Sequence, residues 1–413
     1  MKRFFFTRVW CSCYSETMKF SIEKKLDGTL ARAGEIVTPN GVIKTPAFVT
    51  VGTKATVKAL TSEQIRSLGA QVVLANTYHL YLQPGPDIVA RAGGFGKFMD
   101  WHGPTMTDSG GFQAFSLGAA FGTAVSKVTR AGEETLNNTS TVSGQLATVT
   151  DDGVEFKSHI DGSKHLFTPE RSMEIQWALG ADMIFAFDEC TSPTADYEYQ
   201  KKSLDRTYAW AQRSLERHEA LDTEKRQALF GVVQGGRHQD LREHAARTIG
   251  ALPFDGFGIG GSFTKDDIGS AVAWVNALLP EDKPRHLLGI GEPLDLFEGV
   301  EAGCDLFDCI APTRMGRHGG LHTSTGRINI RNAKFVNDFT PIELGCTCYT
   351  CTHHTKAYLA HLFRAEEMAG ATLASIHNLH FILRLVENMR AAIIDGTFLE
   401  YKKTTLEQYY RSV

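Results

Sequence analysis

Eight short apolar runs punctuate this chain, each ending in polar or glycine residues and each followed by a longer segment of helical character. They read "PAFVTVGT" (46–53), "QVVLANTYH" (71–79), "GPTMTDSGG" (103–111), "ADMIFAFDEC" (181–190), "ALFGVVQGG" (228–236), "DGFGIGGS" (255–262), "RHLLGIGEP" (285–293) and "GCDLFDC" (303–309). Near-continuous apolar strands are buried on both faces, and strands that alternate with helices build a parallel sheet. Between the runs, segments such as "KKSLDRTYAWAQRSLERHEAL" carry apolar residues at roughly helical spacing, with charges on the other side. Eight such units predict an α/β fold of the closed (β/α)8 TIM-barrel type. An open Rossmann sheet would place a G-x-G-x-x-G turn after a strand, and no run is followed by one. The C-terminal ends of barrel strands converge on one face, so Asp108, Asp188, Gln234, Gly261, Gly289 and Asp308 are expected to meet in one pocket.

Two stretches break the pattern. Residues 118–152 are rich in Thr, Ser, Ala and Gly and read as an insertion on the barrel rim. Residues 340–413 hold "GCTCYTC" and then helical sequence, read as a zinc-binding helical subdomain at the C-terminal end of a catalytic barrel spanning 18–339. Cys346, Cys348 and Cys351 offer three soft donors in a short loop, a spacing at which thiolates wrap a tetrahedral Zn²⁺. The fourth ligand could be His353, His354, His361, His377 or His380, and one from a later helix would tie that helix to the loop. An iron–sulfur cluster would call for a fourth cysteine nearby. The triplet lies well past the barrel strands, so its metal is expected to be structural.

Residues 1–17 read as an N-terminal extension: Thr7 and Arg8 interrupt their apolar run and no small-residue cleavage site follows, which argues against a secretory signal. No run of eighteen or more apolar residues occurs, so no transmembrane helix is expected. Few, unevenly spaced cysteines suit a reducing cytoplasm. With a net charge of −4, any contact to nucleic acid has to come from a local basic patch. One candidate is clear: from Cys309 to Asn337 there is no Asp or Glu, while Arg314, Arg317, Arg327, Arg331 and Lys334 fall in the same span.

Asp108, the Asp188–Glu189 pair and Asp308 each follow a strand. Any one of them could cap a following helix, but three at three strand ends exceed what capping leads one to expect. A carboxylate beside an arginine-rich stretch suggests chemistry on a nucleotide.

The motifs "NTYHLYLQPG", "TDSGGFQ", "FDEC", "VVQGG", "GIGG", "DLFDCIAPTR", "INIRNAKF" and "CTCYTC", with His377 in "IHNLHF", closely resemble those of the tRNA-guanine transglycosylases, in order from about Met18 onward. The resemblance implies exchange of guanine at the wobble position of GUN-anticodon tRNA for a 7-deazaguanine base, preQ1 or queuine, in queuosine biosynthesis or salvage. It implies that Asp308 is the nucleophile at ribose C1′ and Asp108 the general acid/base. It also implies that Ser109, Gly110, Gly111, Phe112, Asp188, Gln234, Gly260, Gly261 and Leu288 bind the base, with Phe112 and Leu288 sandwiching the ring. Gly289, Arg314 and Arg317 would contact RNA. Cys346, Cys348, Cys351 and His377 would hold one structural Zn²⁺ per subunit of a cytoplasmic homodimer.

The chain departs from the pattern of bacterial members at "SFTK" after "GIGG", with Thr264 in place of a valine, at Glu292 in place of a lysine, and in the longer stretch 118–152. A non-catalytic accessory subunit is the alternative, and retention of Asp108 and Asp308 argues against it.

Overall fold

The computed structural model describes residues 18–119, 128–129, 147–192, 195–261, 263–264 and 268–411. The extension 1–17 and most of the rim insertion, 120–127 and 130–146, lie outside the described residues.

Each apolar run contains one strand: β1 (Ala47–Val51), β2 (Val73–Ala75), β3 (Thr105–Thr107), β4 (Met183–Phe185), β5 (Ala228–Val233), β6 (Gly256–Ile259), β7 (Arg285–Leu287) and β8 (Leu306–Asp308). They pair in chain order into a closed barrel. The seam is a parallel β8–β1 pair, with Leu306 opposite Ala47, Phe307 opposite Phe48 and Asp308 opposite Val49.

The period of two along each strand sorts the apolar residues into two layers. Val49, Leu74, Met106, Met183, Phe185, Phe230, Val232 and Leu306 belong to an inner cluster that fills the barrel. Their sequence neighbours, among them Phe48, Val73, Ile184, Leu229, Val233 and Phe307, belong to a second cluster with the surrounding helices. A side chain at Gly256 or Gly258 would collide with the rings of Phe230 and Phe185, so these two glycines make room for the inner phenylalanines.

The N-terminal end of the barrel is closed by a three-stranded antiparallel sheet, Lys19–Lys25, Arg32–Thr38 and Gly41–Thr45, whose Ile36 and Ile43 join the inner cluster. Arg32 reaches from this sheet to Asp305, just before β8. The pair is bidentate, Nε to Oδ1 at 2.9 Å and Nη2 to Oδ2 at 2.6 Å, with side chains 3 % and 0 % exposed. Nη1 and Nη2 also donate to the carbonyls of Glu281 and Lys283, at 2.6 and 2.8 Å. A buried charge left without its partner is far costlier than the intact pair is stabilising.

Beyond the barrel, the strands Ala147–Val149, Val154–Lys157 and Lys164–Phe167 form an antiparallel sheet, and Val128–Thr129 pairs with Phe263–Thr264. The described end of the rim insertion is thus a strand. The C-terminal helix Met368–Ile394 crosses the helix Ala311–Arg317 closely, and a Cβ at Gly316 would come within 3.1 Å of the Ala374 backbone. Asn378 fixes the crossing by donating to the carbonyls of Pro312 and Gly320, at 3.0 and 2.9 Å, and accepting from the His322 amide at 3.0 Å. No helix among the described residues is long and apolar enough to cross a membrane.

Asp305→Ala, which strands the buried Arg32 charge, is expected to lower the unfolding free energy by about 3–5 kcal/mol. Urea denaturation would measure it, and an unchanged midpoint would contradict the role given to the pair.

Candidate active site

The pocket at the C-terminal strand ends is lined by Asp108, Ser109, Gly110, Phe112, Asp188, Gln234, Gly260, Gly261, Leu288 and Asp308, with Leu74, Gln113, Phe185, Cys190 and Val232 completing the wall. Gly111 and Gly289 act from just behind it. The Gly111 amide donates to Ser109 Oγ at 3.3 Å, and the Gly289 amide donates to Asp308 Oδ1 at 2.8 Å. Arg314 and Arg317 stand outside the pocket on the helix that follows β8 (exposed and half-buried respectively).

Each carboxylate is held by a different device. Asp108 accepts from the Thr77 amide at 2.9 Å and from the Asn76 side chain. Asn76 caps the helix Thr77–Leu82, its Oδ1 accepting from the His79 amide at 2.9 Å. With its oxygen committed to the cap, its amino group is left to point at Asp108. Asp108 is thereby held at the N-terminus of the helix after β2.

Asp188 accepts from Ser109 Oγ at 3.1 Å and Gln234 Nε2 at 2.7 Å. Its neighbour Glu189 turns away, ion-paired with Arg206 and accepting from the Tyr199 hydroxyl at 2.6 Å. Asp308 accepts on Oδ1 from His286 Nε2 at 2.9 Å as well as from the Gly289 amide. Behind Asp308, burial pushes the Cys309 thiol up to about 12, and the neighbouring carboxylate adds to the effect.

The far wall has its own support. Arg242 is wholly buried and donates to the carbonyls of Gly236 at 2.8 Å and Gly260 at 2.7 Å. Burial lowers its guanidinium to about 9. Gly261 sits against it at φ +110°, where a Cβ would strike the guanidinium.

Not all of the basic stretch faces outward as a free cationic surface. Arg327 is ion-paired with Glu292, Arg331 lies over the Phe363 ring at 5.6 Å, and Lys334 lies over Phe335 at 5.1 Å.

Asn76, Arg242 and His286 were not identified from the sequence as site residues. For Asn76 a signal existed, a cap residue opening "NTYH". For His286 the signal was an imidazole inside an apolar run. Arg242 lies on a helix of ordinary amphipathic pattern and gave none.

The cysteine triplet closes with His377: the four ligand atoms lie within 4.8 Å of one another. The sulfurs of Cys346, Cys348 and Cys351 stand 3.9, 3.6 and 3.3 Å from His377 Nδ1. Bonds of ~2.3 Å to sulfur and ~2.0 Å to nitrogen give a tetrahedral S–N edge of about 3.5 Å, so the donor set fits a tetrahedral metal ion. His377 Nε2 donates to the His322 carbonyl at 2.7 Å, which leaves Nδ1 as the metal-facing atom. His377 and Asn378 are adjacent, so the cluster and the arginine-bearing helix are tied through one helical turn.

The family profile described as Queuine tRNA-ribosyltransferase matches residues 27–411. The queuine tRNA-ribosyltransferase of Caldanaerobacter subterraneus subsp. tengcongensis is 46 % identical over 396 residues, covering 95 % of this chain and 98 % of the relative. The protein of that name from Desulforamulus reducens is 46 % identical over 395 residues, with 95 % and 99 % covered. The one from Staphylococcus aureus is 45 % identical over 382 residues, with 92 % and 93 % covered.

Gly261→Ala should destabilise the fold by about 1–3 kcal/mol through backbone strain and displacement of Arg242. Chemical denaturation would show it as a lowered midpoint, and an unshifted curve would contradict the packing described.

Proposed function

The chain belongs to the queuine tRNA-ribosyltransferase family, and we propose that it is a tRNA-guanine transglycosylase exchanging guanine at the wobble position of GUN-anticodon tRNA for a 7-deazaguanine base. The observation that carries the roles is that Asp108 and Asp308 line one pocket, with Asp188 and Gln234 on its wall. An accessory subunit would have no use for two supported carboxylates there.

In this reading Asp308 attacks ribose C1′. A C1′–oxygen bond forms, the C1′–N9 bond breaks, and its electron pair leaves with the guanine, which takes a proton from protonated Asp108. The incoming base returns a proton to Asp108 as its N9 displaces Asp308 from C1′. Two displacements retain the configuration of the sugar. Asp188, which accepts from Ser109 and Gln234 in the pocket wall, would also accept from the N1–H and 2-amino group of guanine. Gln234 and the Gly261 amide would meet O6, and Phe112 and Leu288 would flank the ring. Gly289, Arg314 and Arg317 would contact the RNA around the wobble nucleotide.

The metal in this reading is one structural Zn²⁺ per subunit, held by Cys346, Cys348, Cys351 and His377, and it supplies no chemistry to the base exchange. The protein would act in the cytoplasm as a homodimer. Exposed Leu344, Tyr349 and Tyr358 beside the cysteine cluster support a contact there with a second copy. Competition between guanine, preQ1 and queuine for incorporation into tRNA decides which base is taken.

Asp308→Asn is expected to abolish the covalent tRNA adduct seen on denaturing gels while tRNA binding survives. Normal exchange by this variant would overturn the mechanism. Cys348→Ser is expected to lose about one equivalent of zinc by native mass spectrometry and to weaken tRNA binding, with guanine binding to the barrel pocket retained. Loss of guanine binding at unchanged tRNA affinity would argue against a structural metal.

A further inference from the structure

His286 is a fully buried imidazole in the inner layer of the barrel, on β7, opposite Gly258 on one side and Leu306 on the other. The Phe185 ring packs against it at 5.6 Å in an edge arrangement. Nε2 lies 2.9 Å from Asp308 Oδ1, and Nδ1 is buried with no hydrogen-bond partner among the described residues. That pattern decides the tautomer. Asp308 Oδ1 already accepts from the Gly289 amide, so it is the accepting oxygen, and the proton of the contact belongs to Nε2. Nδ1 is then a bare acceptor, which is a smaller penalty than a buried N–H with nowhere to donate.

We propose that His286 is a positioning residue for the nucleophile. Its Nε2–H and the Gly289 amide clamp Oδ1 from two sides and set the plane of the carboxylate for attack on C1′. The same two donors stabilise the carboxylate as it leaves C1′ in the second half of the exchange, and so favour breakdown of the covalent intermediate. The inference rests on the transglycosylase reading, and guanine exchange by the unaltered chain tests that reading separately from the variants below.

The test compares His286→Phe, which fills the space without a donor, with His286→Gln, whose amide can reach Asp308, and His286→Asn, whose shorter side chain cannot. For Phe and Asn, kcat is expected to fall about 10- to 100-fold from loss of alignment, at unchanged KM for tRNA. The share of enzyme trapped as tRNA adduct at steady state should rise, because adduct breakdown slows more than its formation. Gln should recover most of the rate. Thermal melting of each variant separates these effects from misfolding, and if Phe does not fold, the Gln–Asn comparison decides. Equal rates for Gln and Asn, or a change in KM alone, would overturn the proposal. So would an imidazole ¹⁵N spectrum of the unaltered protein showing His286 protonated on Nδ1 rather than Nε2.

Discussion

The bidentate contact between Arg32 and Asp305 is the constraint on which barrel closure depends. A closed sheet has one pair of neighbours that come from opposite ends of the chain, and here the pair is β8 with β1. Asp305 sits where they meet the floor: its amide donates to the Arg285 carbonyl at 2.8 Å, its carbonyl accepts from the Ala47 amide at 2.8 Å, and its carboxylate also takes the Arg285 amide at 2.7 Å. One residue thus stitches β7, β8 and β1, and the guanidinium from the N-terminal sheet neutralises it. Asp308 is only three residues further along, at the end of β8. A slip of one residue at the seam would turn that carboxylate from the pocket into the helical layer.

The three carboxylates of the pocket show how a fold keeps like charges at close quarters without letting them wander. Asp108 is bound by a helix N-terminus and its cap residue, Asp188 by a hydroxyl and an amide side chain, and Asp308 by a backbone amide and an imidazole. Every one of these donors fixes the orientation of the carboxylate it serves. The supports sit on or just after β2, β3, β5 and β7, so no single element carries the whole site.

How much of this was legible in the sequence follows from the range of the interactions. The strands were readable because burial on both faces leaves a run of apolar residues, a purely local pattern. The cysteine triplet was readable because a metal loop is compact. What was hidden lies in pairings that no local pattern records. Glu189 looked equivalent to Asp188 until Arg206, on the next helix, claimed it. Arg327 looked like part of a basic surface until Glu292, on the other side of β8, answered its charge. His286 could be seen as an odd polar residue in an apolar strand, but its partner is one strand over. Whether it packs or acts depends on a 2.9 Å contact that only the closed barrel creates.

The phenylalanines admitted by Gly256 and Gly258 have a bearing on the pocket. Phe185 is both a member of the inner cluster and part of the pocket wall, and Phe230 packs against it at 5.4 Å. Part of the pocket wall is thus an aromatic ring of the barrel core. The shape of that wall is a property of the fold itself: a side chain at either glycine would disturb the pocket through the core.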